Sequence, residues 1–424
     1  MPETGAQKGV VFTGKNFTCR VKVVDAMMGT GKTSAAINYI NENLEQKRFL
    51  YITPYLDEVD RVKKSCPGAK FYSPKPFKNT RGGKFIDLKK LLRKGENICT
   101  THALFQLFDR ECIDLCLYHD YVLIMDEVAE VVSGYEIGEK DLAGLLKLYA
   151  YVEPGTGILR WRDDQADYRD SYYQNEKRLI DLESLCVYGS DVTLWLFPVE
   201  AFNAFSEIYI LTYMFDGQVQ RYYYDYYGLP YERLYVQGDS PDTYAFSEVP
   251  GLEKKYDYRS LIEIVESDRM NKIGDPEFAL SKNWYVRNLE NPQMKELKKN
   301  LYNYFNNLRR SPTSDNLWTT FKDAKSKLSG NGYTRGFLAC NARATNEYSG
   351  RHNIAYLVNR YINTVVKQFF VTHGVEVLED EFALSEMVQF IWRSAIRRGE
   401  PISVYVPSSR MRRLLEEWLK KVST

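Results

Sequence analysis

With 424 residues, 44% hydrophobic and 27% charged, the chain has the make-up of a globular protein long enough for two or three domains. A formal net charge of +1 excludes a globally basic protein and confines any nucleic-acid footprint to a local segment. No apolar run approaches the ~20 residues of a bilayer span, and MPETGAQKGVVF has neither the charged start nor the apolar core of a secretory signal. The expectation is therefore a cytoplasmic chain with no membrane partner. Its seven scattered cysteines, without paired spacing, fit a reducing compartment better than a disulfide framework.

Through the first half, short apolar runs alternate with helical patterns, the signature of a parallel sheet covered by helices. Strands are expected at 21–24, 49–53, 97–101, 121–125 and 207–212. A helix is expected at 33–44, where Ala36, Ile37, Ile40 and Leu44 recur at helical spacing. The run 104–117 reads as an amphipathic helix. Cys112, Cys116 and His119 fall in or beside it, with no second Cys/His pair at a zinc-like spacing, so they read as core packing. Residues 153–190 break the alternation, being acidic, dotted with arginine and poor in aliphatics. They read as an inserted subdomain or a mobile excursion. The tyrosine-rich run 222–227 reads as core or strand packing in preference to a base-stacking platform. A second α/β unit is expected from residue 241, with strands at 336–340 and 402–406 and helices at 382–397 and 410–419. The organisation expected is an N-terminal domain over 1–240, interrupted at about 153–190, and a C-terminal domain over 241–424.

Chemistry enters at Ala26-Met27-Met28-Gly29-Thr30-Gly31-Lys32-Thr33, which follows an apolar strand and opens a helix. Glycines let backbone N–H groups curl around phosphates, and the helix N-terminus adds its dipole. Gly29, Thr30, Gly31, Lys32, Thr33 and Ser34 are the candidate nucleotide-binding residues. Lys32 would neutralise the outer phosphates and the Thr33 hydroxyl would ligate Mg²⁺. The partner motif is Asp126-Glu127 at the end of the strand Tyr121-Val122-Leu123-Ile124-Met125. It supplies Asp126 for the metal and Glu127 for the attacking water. ATP and Mg²⁺ are the cofactors that these motifs imply.

Between Arg61 and Lys94 twelve Lys/Arg face one acid, Asp87, a local charge of +11. A run of that kind suits phosphate neutralisation, and Lys78, Arg81 and Lys84 around a glycine pair are its candidate contacts.

Taken in order, these motifs resemble those of superfamily 2 (DEAD/DEAH-like) helicases of the sort often encoded by phages. Thr53-Pro54 through Arg61 is similar to the motif that contacts the nucleic-acid backbone, and Thr100-Thr101-His102 to the small Thr-rich motif after it. Asp126-Glu127-Val128-Ala129 stands where that family has its acidic box. Leu211-Thr212-Tyr213 stands where it couples hydrolysis to nucleic-acid binding, through Thr212. Gln389, Arg393 and Arg397 resemble the late motif whose arginines reach ATP. The two arginines are four residues apart here, a spacing that keeps both on one helix face. Residues 341–346 stand in for the motif before it. The resemblance implies two tandem RecA-like domains of α/β class with ATP at the cleft between them. It further implies an ATP-dependent translocase or helicase acting on DNA in preference to RNA. A nucleic-acid-stimulated ATPase, a nucleotide-gated binding module and, with less support, a DNA-packaging motor stay open beside it.

Overall fold

Every one of the five strands expected in the first half forms, each end within one residue of its expected bound. The computed structural model describes residues 17, 20–54, 56–77, 82–189, 192–250, 257–340 and 347–422. The chain divides into two units, one of residues 1–26, 31–251 and 363–377, the other of residues 27–30, 252–362 and 378–424.

The first unit runs β1 (Arg20–Asp25), α1 (Lys32–Glu42), β2 (Arg48–Thr53), α2 (Leu56–Ser65), α3 (Gly83–Arg93), β3 (Ile98–Thr101), β4 (Tyr121–Asp126), β5 (Glu207–Thr212), α4 (Val219–Tyr227), β6 (Tyr231–Gln237) and β7 (Ala245–Ser247). The sheet order is β7-β6-β1-β5-β4-β2-β3. All neighbours are parallel except β7, which pairs antiparallel with β6. Helices on both faces explain the near-continuous apolar composition, with β2 buried from Phe49 to Thr53 and β4 from Tyr121 to Met125. The β6–β7 hairpin completes the edge of this sheet, so the second unit begins at residue 252 and not at 241.

Three elements differ from expectation. The segment 104–117 is two helices, His102–Phe105 and Arg110–Tyr118. Asp109 breaks the pattern by accepting from the Cys112 N–H as an N-cap. Cys112 and Cys116 are buried, as core packing requires. The interruption is an ordered subdomain and is wider than 153–190. Strands Val132–Gly134, Val192–Leu196 and Leu185–Tyr188 form one antiparallel sheet, and Ala150–Val152 pairs with Leu159–Trp161. Leu145, Leu159, Leu179, Ile180 and Leu185 give it a core of its own. The tyrosine run is helix α4 and not a strand, closed by Gly228 in the left-handed region at φ 66°. All five of its tyrosines are buried. The Tyr223 hydroxyl donates to the Phe197 carbonyl at 2.5 Å, and Tyr222 and Tyr226 pack on Phe369 and Phe370 of α5 (Thr364–Thr372).

The second unit carries β8 (Ile262–Ile264), β9 (Asn316–Thr319), β10 (Asn353–Tyr356), α6 (Glu379–Ile391), β11 (Ile402–Tyr405) and α7 (Ser409–Val422). Its sheet, β8-β11-β10-β9, is wholly parallel. Leu297, Leu301, Tyr304, Trp318 and Tyr405 sit in its core. The strand expected at 336–340 does not form. At Gly336 the chain approaches β9 so closely that a Cβ would stand 2.0 Å from the Asn316 carbonyl, and only Phe337 bridges to Trp318.

Candidate nucleotide site

The phosphate loop leaves β1 at Ala26, whose N–H donates to the Thr212 carbonyl at 3.1 Å. Gly29 and Gly31 adopt φ of 86° and 91°, a region costly to any side-chain-bearing residue, so the glycines here are a backbone requirement. The turn is closed by the Thr30 hydroxyl donating to the Met27 carbonyl at 2.8 Å. Gly31 caps α1, and the Ala35 N–H returns to its carbonyl at 2.8 Å. The Lys32 ammonium folds back onto the Ala26 carbonyl, while Thr33 and Ser34 are half-buried in the first turn.

Parallel pairing brings the acidic motif to the same sheet edge. Leu211 of β5 is in register with Asp126, and Thr212 with Asp25 at the mouth of the loop. Glu127 leaves the strand at φ 72°, left-handed backbone in a residue that does not favour it, held by its N–H donating to the Leu211 carbonyl at 3.0 Å. Burial pushes the Asp126 carboxyl up to about 7. The carboxylates of Glu127 and Glu58 add to that effect and the cations of Lys32 and Arg61 oppose it. The hydroxyls of Thr53 and Thr212, at the ends of β2 and β5 on either side of β4, are fully buried and have no hydrogen-bond partner.

Three supporting residues were not among the sequence candidates. Glu58 of α2 pairs with Arg61 at 3.0 Å and adds its field to Asp126. Gln220 of α4, wholly buried, accepts from the Ala129 N–H at 2.8 Å and so fixes the backbone just past the acids. A lone amide inside a tyrosine-rich helix was the signal available for it. Tyr244, before β7, lies against Gly31.

The remaining candidates scatter. His102 is buried, its Nε2 2.9 Å from the Asp126 carbonyl oxygen, and Thr53 and Thr100 are also interior. Their assignment as nucleic-acid contacts is corrected, because interior side chains do not reach a nucleic-acid backbone. Pro54 and Thr101 are half-buried, and Arg61 and Lys84 are exposed. Lys78 and Arg81 lie outside the described residues, as do residues 341–346. Gln389 is half-buried on α6. Arg393 and Arg397 do not share a helix face. The Ser394 hydroxyl donates to the Ile391 carbonyl at 2.6 Å with its backbone extended, α6 ends at Ile391, and Arg397 lies in the 3₁₀ turn Ala395–Arg398. Arg393 is buried and Arg397 exposed.

Among the described residues no helix is long and apolar enough to cross a membrane. The model of the YonV C-terminal Rossmann-like domain matches residues 256–419. Over 411 residues the chain is 44% identical to the SPbeta prophage-derived uncharacterized protein YonV of Bacillus subtilis (strain 168), covering 95% of this chain and 99% of that protein. These matches overturn the resemblance to superfamily 2 helicases. The C-terminal half belongs with a Rossmann-like domain, and the short late motifs that carried the resemblance were permissive enough to occur without the relationship.

Proposed function

The chain belongs to the YonV family, and from the site in its N-terminal half we propose that it binds ATP and hydrolyses it to ADP and phosphate, in work coupled to a nucleic acid. The observation that carries the reading is the phosphate loop and Asp126-Glu127 at one sheet edge. Lys32 binds the outer phosphates once it releases the Ala26 carbonyl, and Glu127 orients the attacking water and takes its proton. The donor set fits Mg²⁺. Asp126 is crowded by Glu127 and Glu58, a condition that a divalent cation would relieve, and the Thr33 hydroxyl would be the second protein ligand. That cation would neutralise charge on the transferred phosphoryl group.

Support for a nucleic-acid partner comes from the basic segment, where Lys64, Lys70, Lys75, Lys84, Lys90 and Lys94 are exposed. Translocation or unwinding is the fullest form of the reading, and a nucleotide-gated binding module the leaner one. The preference for DNA rested on the helicase resemblance and falls with it. For the first unit, a RecA-like identity rests on the loop and its sheet; for the second, only on four parallel strands. ATP turnover measured alone and with single-stranded DNA, duplex DNA and RNA tests the proposal. Turnover that one of the polymers stimulates is expected. No turnover under any condition removes it, and turnover indifferent to all three leaves only the hydrolase.

A further inference from the structure

We propose that the β6–β7 hairpin is the base-recognition element of this site, with Tyr244 stacking on the purine of the bound nucleoside triphosphate. The inference rests on the nucleotide-hydrolase reading. Three ring atoms of Tyr244 lie 2.6–2.7 Å from where a Gly31 Cβ would stand. Near-equal distances to three adjacent ring atoms place that point over the ring's face, so the aromatic plane lies flat on the last glycine of the phosphate loop. Packing this close needs glycine at position 31, a second reason for it besides its φ of 91°.

The hairpin is held in place for the task. Asn38 of α1 donates from Nδ2 to the carbonyls of Pro241 at 3.0 Å and Tyr244 at 2.8 Å. The turn before Tyr244 is tied by the Thr243 hydroxyl, which donates to the Asp239 carboxylate at 3.0 Å and accepts from the Asp239 and Ser240 N–H groups. Gly238, at φ 113°, lets the turn close against the Thr243 carbonyl. The half-exposed Tyr244 also lines a cavity of about 270 Å³ with Ala35, Asn38, Tyr39, Glu42, Phe246 and Ser247. The α1 residues of that wall recur at helical spacing, and Asn38 lies about 9 Å along the axis from Lys32, at 1.5 Å per residue. A nucleotide with its phosphates on the loop spans such a distance through its ribose. The cavity pairs aromatic walls with amide, hydroxyl and carboxylate groups that suit the polar edge of a purine.

The test compares binding of ATP and of inorganic tripolyphosphate to the full chain by calorimetry, in the wild type, Tyr244→Ala and Tyr244→Phe. Thermal melting confirms that each variant is folded. Expected is about 10-fold weaker ATP binding in Tyr244→Ala, unchanged tripolyphosphate binding, and near wild-type behaviour in Tyr244→Phe, because stacking needs the ring and not the hydroxyl. Equal changes for both ligands, or tighter binding of both when the ring is removed, would make Tyr244 a cover over the loop and overturn the assignment. Wild-type ATP binding no tighter than that of tripolyphosphate overturns it too, while leaving the phosphate loop standing. If the wild type binds neither ligand, the nucleotide reading fails and this one with it.

Discussion

On the proposed reading Lys32 and Glu127 make separable contributions, and single substitutions tell them apart. Lys32→Ala leaves the phosphate charge uncompensated, so nucleotide binding and turnover should both be lost. Glu127→Gln keeps the shape and removes the proton acceptor, so binding should survive while turnover falls about 10²–10⁴-fold. Wild-type turnover in Glu127→Gln would sink the acidic-motif assignment. Thr212 offers a test of opposite signs. Its hydroxyl is buried without a partner, so Thr212→Val should leave stability equal or about 1 kcal/mol higher. The same change should slow turnover if that hydroxyl serves the bound state, and unimpaired turnover would assign it to packing alone. Asp126 gives a pH signature. Its folded carboxyl titrates near 7, well above the ordinary aspartate value, so the folded protein keeps a proton that the unfolded chain has lost between about pH 4 and 7. Folding stability contributed at this site therefore falls as pH rises through that window. Asp126→Asn should gain on the wild type in denaturant midpoint from about pH 4 to 7 and hold steady above it. A difference that does not vary with pH would contradict the crowding described above.

At the scale of elements, α3 and the segment before it decide what the basic run does. Part of its charge is already spent within the unit: Arg61 pairs with Glu58, Lys89 with Asp109 and Glu111, and Arg93 with Glu111. Counting charges in the sequence overestimated the free positive surface for that reason. Lys75, Lys84 and Lys90 are exposed and are the sites to remove. Replacing all three with alanine should weaken single-strand binding evenly across sequences. The slope of log affinity against log salt should fall by about 0.7 per contact, hence ~2 in all. Basal turnover should persist, since none lies in the nucleotide motifs. An unchanged salt slope would make the run a solvated face. Helix α4 is a case where packing was legible: its tyrosine run read as core in preference to a stacking platform, all five tyrosines are buried, and its Gln220 amide oxygen accepts from the Ala129 N–H.

On the scale of the whole molecule, the order of the chain is not the order of the units. Helix α5 lies in sequence between elements of the second unit but packs with the first, placing Phe369 and Phe370 against Tyr222 and Tyr226. A fragment ending at Gly251 would expose that aromatic face. Deleting large buried aromatics costs about 3–5 kcal/mol each, so the fragment should melt well below the full chain or aggregate. A fragment that melts with the midpoint of the full chain's first unit would show that α5 is dispensable there. A division at residue 240, drawn from composition along the chain, had no means of finding this exchange.

What the sequence determined alone was local. Glycines at 29 and 31, the lysine and threonine that open α1, and two acids closing an apolar strand specify backbone curvature and charge within a few residues, and five of the seven strands of the first sheet followed from their apolar runs. The tertiary structure decided everything that depends on residues distant in the chain. Register across β1, β5 and β4 carries Thr212 between the loop and the acids, and the neighbouring acids set the proton affinity of Asp126. Ser394 ends a helix that periodicity would have continued through Arg397, because a side-chain hydroxyl competes for the backbone where no spacing rule registers it. The short motifs of the C-terminal half misled for a related reason. A few polar residues at loose spacing have no fixed relation in space until a fold provides one, and there it provided a Rossmann-like domain.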